Sequence, residues 1–410
     1  MRLSVIICVY NTDRAYFEEC LKSITESTLQ AGEYEIVVVD DGSGIDYTDL
    51  ITRYGARYTK TENRGMLAAR SLGISMARGR WCVFVDSDDT VSFNYHRPML
   101  ERAEQTGADI VLSDWAFHTV RSRYYCKTDS VIATDIAAVG EDVLPLLFRH
   151  GGAQHSYFVL WNKLFSTELL RKVCEDVRDT EEGFGKFNYS EDALRCFYAY
   201  KRAQRVVNVH SGGYYFYRIH ASQSVNVVGI DTLRGQIACM KETFRAMEGG
   251  IADHPRADEL RDGLMRWRAL SARSHYSYAR AGGYAELYPV IREAYGVERL
   301  RISTLADSRV YINNCPLPTN IREVDEALLK LYSEGGGSIC PCGTGKYTRA
   351  AVRGLKSIGC TVEYVRGAAV LPEESYRLRD KIIMNPIVYT ASLLLFPKGS
   401  RLRAFLKRHI

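Results

Sequence analysis

A short apolar run that ends in a cluster of acids constrains the fold of this chain more than any other feature. Residues 81–85 (WCVFV) contain no charged side chain, which predicts a strand buried on both faces, as in a parallel sheet. Asp86, Ser87, Asp88 and Asp89 follow directly. Ligands of open α/β sheets bind at the carboxyl ends of the strands, and close carboxylates repel one another without a cation or proton between them. We therefore predict a divalent-metal site that holds a diphosphate.

Two apolar runs upstream place this strand in a larger sheet. Residues 3–9 and 34–39 read as buried strands, and apolar residues at helical spacing between them predict one amphipathic helix. A strand–helix–strand unit with a short connection begins a right-handed parallel sheet, so we predict an α/β fold with a Rossmann-like mixed sheet flanked by helices. Residues 158–165 read as a further strand, and Ser190 as the N-cap of a helix over 193–200.

A simpler interpretation of the acidic residues stays open. Residues 86–89 could form a loop that caps a following helix through Asp89 or Thr90, since the D-x-D pattern is common. Glu191 and Asp192 could do no more than complement the dipole of the helix that follows them. Only the order and spacing of several such segments together favour a functional site.

The length of the chain, 410 residues, predicts two or three domains. We place an α/β domain at residues 1–228, a helical region at 229–320, and a small Rossmann-like α/β appendage at 321–410. Residues 343–346 (GTGK) match half of a dinucleotide-binding fingerprint without its third glycine, so no cofactor is expected there. The basic and apolar tail, 396–410, predicts either contact with an anionic membrane surface or a helix that packs on the protein.

Composition excludes several classes of protein. Lys and Arg number 54 against 49 Asp and Glu, and a net charge of +5 is too small to indicate a nucleic-acid partner. No apolar run reaches the roughly 18 residues that span a bilayer, and polar residues 11–13 follow the first strand too early for a signal peptide. Eleven scattered cysteines without zinc-site spacing predict reduced thiols. We expect a cytoplasmic protein, peripheral to the inner face of the plasma membrane if the tail binds lipid.

Charged residues at the predicted segment ends supply the parts of a nucleotide site. Asp41, after the second strand, can accept a hydrogen bond from a uracil-like N–H group. Asp86 and Asp88 offer the hard oxygen ligands that Mg²⁺ and Mn²⁺ prefer. Asp192 supplies a separate carboxylate, free to act as a general base. Two basic residues could neutralise phosphate charge through paired hydrogen bonds, Arg70 and Arg218.

The combination of these segments resembles family 2 glycosyltransferases of the GT-A fold. The matching segments are 4–11, 37–43, 63–74 and 84–89, followed by 161–165, 191–192 and 217–218 with Ser222, so the resemblance covers about residues 1–225. It implies that residues 1–228 are a GT-A catalytic domain. It also implies a nucleotide-sugar donor, most often a UDP-sugar, with Mn²⁺ or Mg²⁺ on the diphosphate. The implied acceptor is a glycan or lipid-linked glycan of cell-surface polysaccharide synthesis.

The resemblance also implies roles for individual residues. Tyr10 would stack near the base, Asp41 would read its N–H group, Asp86 would lie near the ribose or the metal, Asp88 would ligate the metal, and Asp192 would be the base. His220 would be a third metal ligand. The remaining residues implied at the nucleotide-sugar site are Val9, Asn11, Asn63, Gly65, Arg70, Ser87 and Arg218. One position departs from the family pattern, since Cys8 stands where Pro or Thr is usual.

The implied reaction is a single displacement with inversion at the anomeric carbon. Asp192 would accept the proton of the attacking hydroxyl, while the metal and basic side chains stabilise the departing nucleoside diphosphate.

Two alternative functions fit the sequence less well. A nucleotidyltransferase that makes a nucleotide sugar would need a glycine-rich loop after the first strand, and residues 10–14 contain no glycine. A non-catalytic nucleotide-binding module is disfavoured because the acids Asp86, Asp88 and Asp192 are all present.

Overall fold

The computed structural model describes residues 1–119, 124–125, 135–148, 155–210, 213–220 and 229–295, together with short strands between 302 and 316. The chain divides into two compact units, Met1–Leu264 and Met265–Ile410. The predicted domain boundaries near 228 and 320, Ser222, and the whole appendage with its 343–346 loop and its tail lie outside the described residues. These assignments therefore stay predictions.

The first unit is built on an eight-stranded mixed sheet with a smaller sheet beside it. The strands of this unit are β1 (Leu3–Val9), β2 (Tyr34–Asp40), β3 (Arg57–Lys60), β4 (Trp81–Phe84), β5 (Thr90–Val91), β6 (Ile110–Ser113), β7 (Trp115–Thr119), β8 (Tyr124–Tyr125), β9 (Ala137–Val139), β10 (Lys163–Ser166), β11 (Arg205–Val209) and β12 (Tyr215–Ile219). The main sheet has the order β3-β2-β1-β4-β10-β6-β11-β9, and the smaller one β5-β12-β7-β8.

The described residues of both units contain α-helices. They are α1 (Arg14–Thr25), α2 (Thr48–Arg53), α3 (Met66–Met76), α4 (His96–Thr106), α5 (Thr167–Phe184), α6 (Glu191–Arg202), α7 (Ile230–Ile251), α8 (Ala257–Gly282) and α9 (Leu287–Ala294). The last three lie within residues 229–320, for which the sequence predicts a helical region whose bounds stay a prediction, and the division between the two units falls inside α8. The second unit also contains a three-stranded sheet of β13 (Ile302–Thr304), β14 (Val310–Ile312) and β15 (Cys315–Pro316). Among the described residues, no helix combines the length and the hydropathy needed to cross a bilayer.

The three apolar runs form the centre of the main sheet, and the predicted α/β fold is confirmed. β1 lies between β2 and β4 and pairs with both in parallel, and every residue of β1 and β4 is buried. Helices cover both faces, because α1 packs on one face through Phe17 and Leu21, whereas α3 lies on the other. At Gly73 of α3, a Cβ atom would lie 2.5 Å from a methyl group of Ile6, so only glycine allows this close helix–sheet approach.

Three local predictions were wrong. Residues 158–165 are not one strand, because only Lys163–Ser166 pairs with neighbours and residues 155–157 form a 3-10 turn. Ser190 does not cap α6 with its side chain, since its φ is +58° and its hydroxyl contacts Thr243 Oγ1 at 2.7 Å. Asp89 does not cap a helix either, because β5 follows it.

Candidate active site

A buried arginine joins three acids from two distant segments at the carboxyl edge of the main sheet. Arg70, on α3, is only 3% exposed. Its guanidinium donates to Asp86 Oδ1 at 2.9 Å and to Glu191 Oε1 at 2.5 Å, and it also contacts Asp192 Oδ1. We call this cluster of four residues the Arg70 nest. It brings the acids that follow β4 into direct contact with the first turn of α6.

The Arg70 nest holds three carboxylates against one guanidinium. Burial raises the pKa of Asp86 above its ordinary value, Arg70 opposes that rise, and the negative charges of Asp88 and Glu191 add to it. The second carboxylate oxygen of Glu191 is buried and has no hydrogen-bond partner among the described residues. The nest is therefore short of positive charge.

Asp192 is not free of partners, contrary to the expectation for a general base. Arg70 engages one oxygen of its carboxylate, and the Leu160 backbone N–H donates to the other at 3.3 Å. Arg70 also differs from expectation, because its guanidinium is held by the acids and lies 5.7 Å from the centre of the Phe84 ring. The assigned roles, base for Asp192 and donor contact for Arg70, stay predictions.

Glu191 lies in the cluster although the sequence assigned it no individual role. Residues 191–192 were a segment of the family resemblance, and Glu191 could also complement a helix dipole, but the structure shows it buried and bonded to Arg70. The available signal was its position beside Asp192, because two adjacent acids that begin a buried helix need a buried cation nearby.

Asp89 holds the loop of residues 86–89, which we call the acidic loop, against β12. The sequence did not reveal this role. Its carboxylate, 1% exposed, accepts from the Tyr215 hydroxyl at 2.6 Å and from the Arg218 backbone N–H at 2.7 Å. The same hydroxyl accepts from the Asp86 N–H at 3.0 Å. Burial, with the charges of Asp88 and Asp86, holds the pKa of Asp89 well above its usual range.

Asp88 and His220 lie side by side at the edge of the site. His220 Nε2 is 2.8 Å from Asp88 Oδ2, and the Arg218 side chain donates to the Asp88 backbone carbonyl at 2.7 Å. The Arg218 guanidinium also bonds Glu19 at 2.5 Å and stacks 4.5 Å from the centre of the Tyr16 ring. Asp88 and His220 could supply two ligands to a divalent cation. No cluster of three His, Cys, Asp or Glu side chains within the described ranges is arranged to hold one.

The end of β1 forms a separate part of the predicted donor site. Tyr10 is 50% exposed, whereas Val9 is fully buried and accepts the Asp41 N–H through its carbonyl at 2.9 Å. Asn11 has a φ of +51°, and its side-chain oxygen accepts from the Gly44 N–H at 2.8 Å. The loop after β4 contacts the loop between β1 and α1, because Ser87 Oγ lies 2.6 Å from the hydroxyl oxygen of Thr12.

Asp41 anchors the loop that precedes α3. Its two carboxylate oxygens accept from the Arg64 and Gly65 backbone N–H groups at 2.8 and 2.9 Å, and burial raises its pKa despite these bonds. Gly65 has a φ of +94°, and a Cβ there would lie 2.8 Å from the Asn188 side chain. Asn63 stands beside this loop, and its side-chain oxygen is buried without a partner among the described residues. Asp41 thus already uses both oxygens to hold backbone, and its contact with a base stays a prediction.

Comparison with known proteins identifies a family pattern over the segments that carry Asp41, Arg70 and Asp86–Asp89, whereas Asp192, Arg218 and His220 lie beyond it. The sequence pattern described as glycosyl transferase family 2 matches residues 4–172. The putative glycosyltransferase EpsH of Bacillus subtilis (strain 168) is 30% identical over 233 residues, which are 54% of this chain and 62% of EpsH. The poly(ribitol-phosphate) beta-glucosyltransferase of Bacillus spizizenii is 32% identical over 119 residues, 27% of this chain and 19% of that protein. The chain thus spans about three fifths of EpsH and a smaller share of the second relative.

A solved structure shows the same fold. S. aureus TarS 1-349 in complex with UDP-GlcNAc superimposes with a TM-score of 0.52 at 19% identity, over 72% of this chain and 79% of that one. The match supports a GT-A arrangement of a large mixed sheet between helices. The family pattern over residues 4–172 and this fold make the N-terminal part of the chain similar to glycosyltransferase family 2.

Proposed function

We propose that this protein transfers a sugar from a nucleotide-sugar donor, a UDP-sugar, to a hydroxyl group of a glycan or lipid-linked glycan, with inversion at the anomeric carbon. We further propose that the product belongs to cell-surface polysaccharide synthesis. The observation that carries the proposal is the Arg70 nest, which brings Asp86 and Asp192 together at the ligand-binding edge of a domain similar to family 2. The UDP-GlcNAc complex of the TarS fold supports the choice of donor.

In this proposal, two of the three acids of the nest serve opposite ends of the reaction. Asp86 lies in the loop after β4 and faces the donor, whereas Asp192 begins α6 and accepts the proton of the acceptor hydroxyl. The Leu160 N–H and Arg70 hold the Asp192 carboxylate in one orientation. Orientation matters because a base that is already aligned loses little entropy on reaching the transition state.

The Asp88–His220 pair fits a divalent cation that the donor helps to bind. Mg²⁺ is commonly held by one or two carboxylates together with substrate phosphates, so two protein ligands are sufficient when a diphosphate supplies the others. Such a cation, Mn²⁺ or Mg²⁺, would neutralise negative charge on the leaving diphosphate. Arg218 would add a fixed positive charge beside the pair, since it already donates to the Asp88 carbonyl.

A transfer assay tests the proposal directly. The protein would be incubated with UDP-sugars, MnCl₂ and lipid-linked or soluble glycan acceptors, and release of UDP would be measured. We expect release that depends on one donor, stops in EDTA and returns with Mn²⁺. Full activity in EDTA would remove the cation from the mechanism. Release of pyrophosphate from a nucleoside triphosphate and a sugar phosphate would instead favour the nucleotidyltransferase alternative.

Location is part of the same set of predictions. A cytoplasmic location and contact of residues 396–410 with the inner face of the plasma membrane rest on sequence pattern alone, because this tail lies outside the described residues. Flotation of the protein with vesicles of anionic lipid, compared with a form truncated before residue 396, would measure the contact.

A further inference from the structure

A lysine buried in the core has no part in the mechanism proposed above. Lys163 begins β10, and its side chain has no exposed surface. Its ammonium group donates to the backbone carbonyls of Ser156 and Val159 at 2.6 and 2.5 Å and to Asn162 Oδ1 at 2.8 Å. All three N–H groups of the ammonium therefore have an acceptor, and none of these acceptors is a carboxylate.

The acceptors of Lys163 belong to one irregular segment, residues 156–162, which we call the clip loop. This segment forms the end of a 3-10 turn and then runs without regular pairing into β10. Buried backbone carbonyls without partners are costly, so a segment of this kind requires a donor from elsewhere in the chain. Asn162 adds to the closure through its own amide, which donates to the Ser156 carbonyl at 3.1 Å. The ammonium of Lys163 thus links three points of the clip loop through hydrogen bonds.

The clip loop contacts both halves of the proposed site. The Leu160 N–H, one residue after a carbonyl held by Lys163, donates to Asp192 Oδ2. The next residue, Trp161, stacks on Tyr215 with ring centres 4.6 Å apart and an interplanar angle of 18°. Tyr215 in turn bonds the acidic loop after β4. The conformation of the clip loop therefore influences Asp192 directly and the acidic loop through one ring contact.

We propose that Lys163 is a positioning residue for sugar transfer. Its ammonium fixes the clip loop, the Leu160 N–H then orients the Asp192 carboxylate, and Trp161 supports Tyr215 behind the acidic loop. A lysine suits this task because a long apolar stem carries three donors to one point in the core. The consequence for catalysis rests on the proposed function, whereas the dependence of the clip loop on Lys163 does not.

Lys163→Met tests the proposal because it keeps the length of the stem and removes the three donors. We expect kcat to fall by about 10- to 100-fold, as for a catalytic group misplaced by about 1 Å, while the Kd for UDP changes less than about threefold. Amide hydrogen exchange over residues 156–162 should become faster. Activity would be compared at a temperature at which both proteins are fully folded by circular dichroism.

Two further variants separate positioning from a general loss of stability. Glu35→Gln removes a buried charge at the opposite edge of the sheet, where the carboxylate bonds Ser4 and Arg57, and it should leave kcat unchanged. Asn162→Ala removes one of the three acceptors but leaves the lysine in place, so it should reproduce a smaller loss of kcat. If Lys163→Met does not fold, Asn162→Ala tests the proposal in its place.

The outcomes are distinguishable. An unchanged kcat in both clip-loop variants would overturn the proposal. So would a loss of activity that weaker UDP binding fully explains, because the loop would then act through the donor side alone and not through Asp192. Hydrogen exchange needs no substrate. If the wild-type protein transferred no sugar, faster exchange over residues 156–162 in Lys163→Met would still support the structural part, and unchanged exchange would refute it.

Discussion

The two ends of the parallel strands in the main sheet carry opposite balances of charge. We call the end at which these strands finish the carboxyl edge, and the end at which they begin the amino edge. At the carboxyl edge, acids outnumber the buried cations beside them. Arg70 alone faces three carboxylates, and burial raises the pKa of Asp86 and of Asp89. In this part of the structure the ionised carboxylates are disfavoured by folding.

At the amino edge, each acid has several donors. Glu33 bonds Arg2 at 2.6 Å and Arg97 at 2.9 Å, and the backbone N–H of Gln30 together with these arginines lowers the pKa of Glu33 to about 2. Glu35 is buried, which opposes ionisation, but hydrogen bonds from Ser4, Arg57 and the Arg78 N–H nevertheless lower its pKa.

The opposite directions of these pKa shifts indicate that the carboxyl edge suits ligand binding, whereas the amino edge contributes to stability. Paired and hydrogen-bonded carboxylates stabilise the folded state at neutral pH, whereas crowded ones destabilise it until a cation or a cationic ligand arrives. A surplus of buried acids is the pattern that a functional site produces, so it supports the proposed site at the carboxyl edge independently of any family resemblance. Four substitutions can break or sharpen this comparison.

The largest expected effect is on activity at the carboxyl edge. Asp192→Asn removes the proposed base but keeps its shape, so kcat should fall by about 10²- to 10⁴-fold, the usual contribution of general base catalysis. UDP binding, measured by calorimetry, should be retained because Asp192 serves the acceptor. Turnover at the wild-type rate would show that another group takes the proton.

The opposite pattern is expected at the amino edge. Glu35→Gln should lower the free energy of unfolding by about 1–3 kcal/mol, because a buried carboxylate with three donors is replaced by an amide whose NH₂ group faces one of them. Urea denaturation at pH 7 measures the loss, and sugar transfer should stay normal. A loss of activity without a loss of stability would reverse the roles assigned to the two edges.

Asp86→Asn should stabilise the protein while abolishing its function. A folded-state pKa above the unfolded value means that the ionised form costs free energy on folding, so the neutral amide should gain about 0.5–2 kcal/mol at pH 7. The gain should shrink as the pH falls through the raised pKa, because the wild-type carboxyl group then also becomes neutral. Denaturation at pH 7 and pH 5 tests both points, and a destabilised variant at pH 7 would contradict the charge argument.

The smallest effect concerns Glu33, which is at the surface. Its lowered pKa stabilises the folded state fully above the unfolded value of about 4.5, and the contribution is lost as the pH falls toward 2. Glu33→Gln should therefore lower Tm at pH 6, and the difference from the wild type should shrink below about pH 4.5 and vanish near pH 2. A difference in Tm that does not vary between these pH values would show that the ion pairs of Glu33 contribute nothing.

Local pattern was sufficient for the framework of the fold. β1, β2 and β4 were predictable because uninterrupted apolar runs of strand length can only be buried, and the polar residues that end them must then lie at one edge. The same reasoning failed for residues 158–165, where apolar side chains are buried in an irregular loop that Lys163 closes from inside. Periodicity reports burial, and it cannot distinguish a strand from a loop whose backbone is satisfied by a side chain.

Tertiary structure decided how the charged groups pair. Arg70 meets Glu191 and Asp192 across more than 120 residues of sequence, and Asp89 meets Tyr215 across a similar distance. Sequence placed the acids 86–89 and 191–192 at the starts or ends of elements, but it could not show that one buried guanidinium joins them or that Asp192 has partners already. The physical reason is that burial is encoded residue by residue in composition and spacing, whereas the partner of a buried charge depends on which distant segments the sheet brings together.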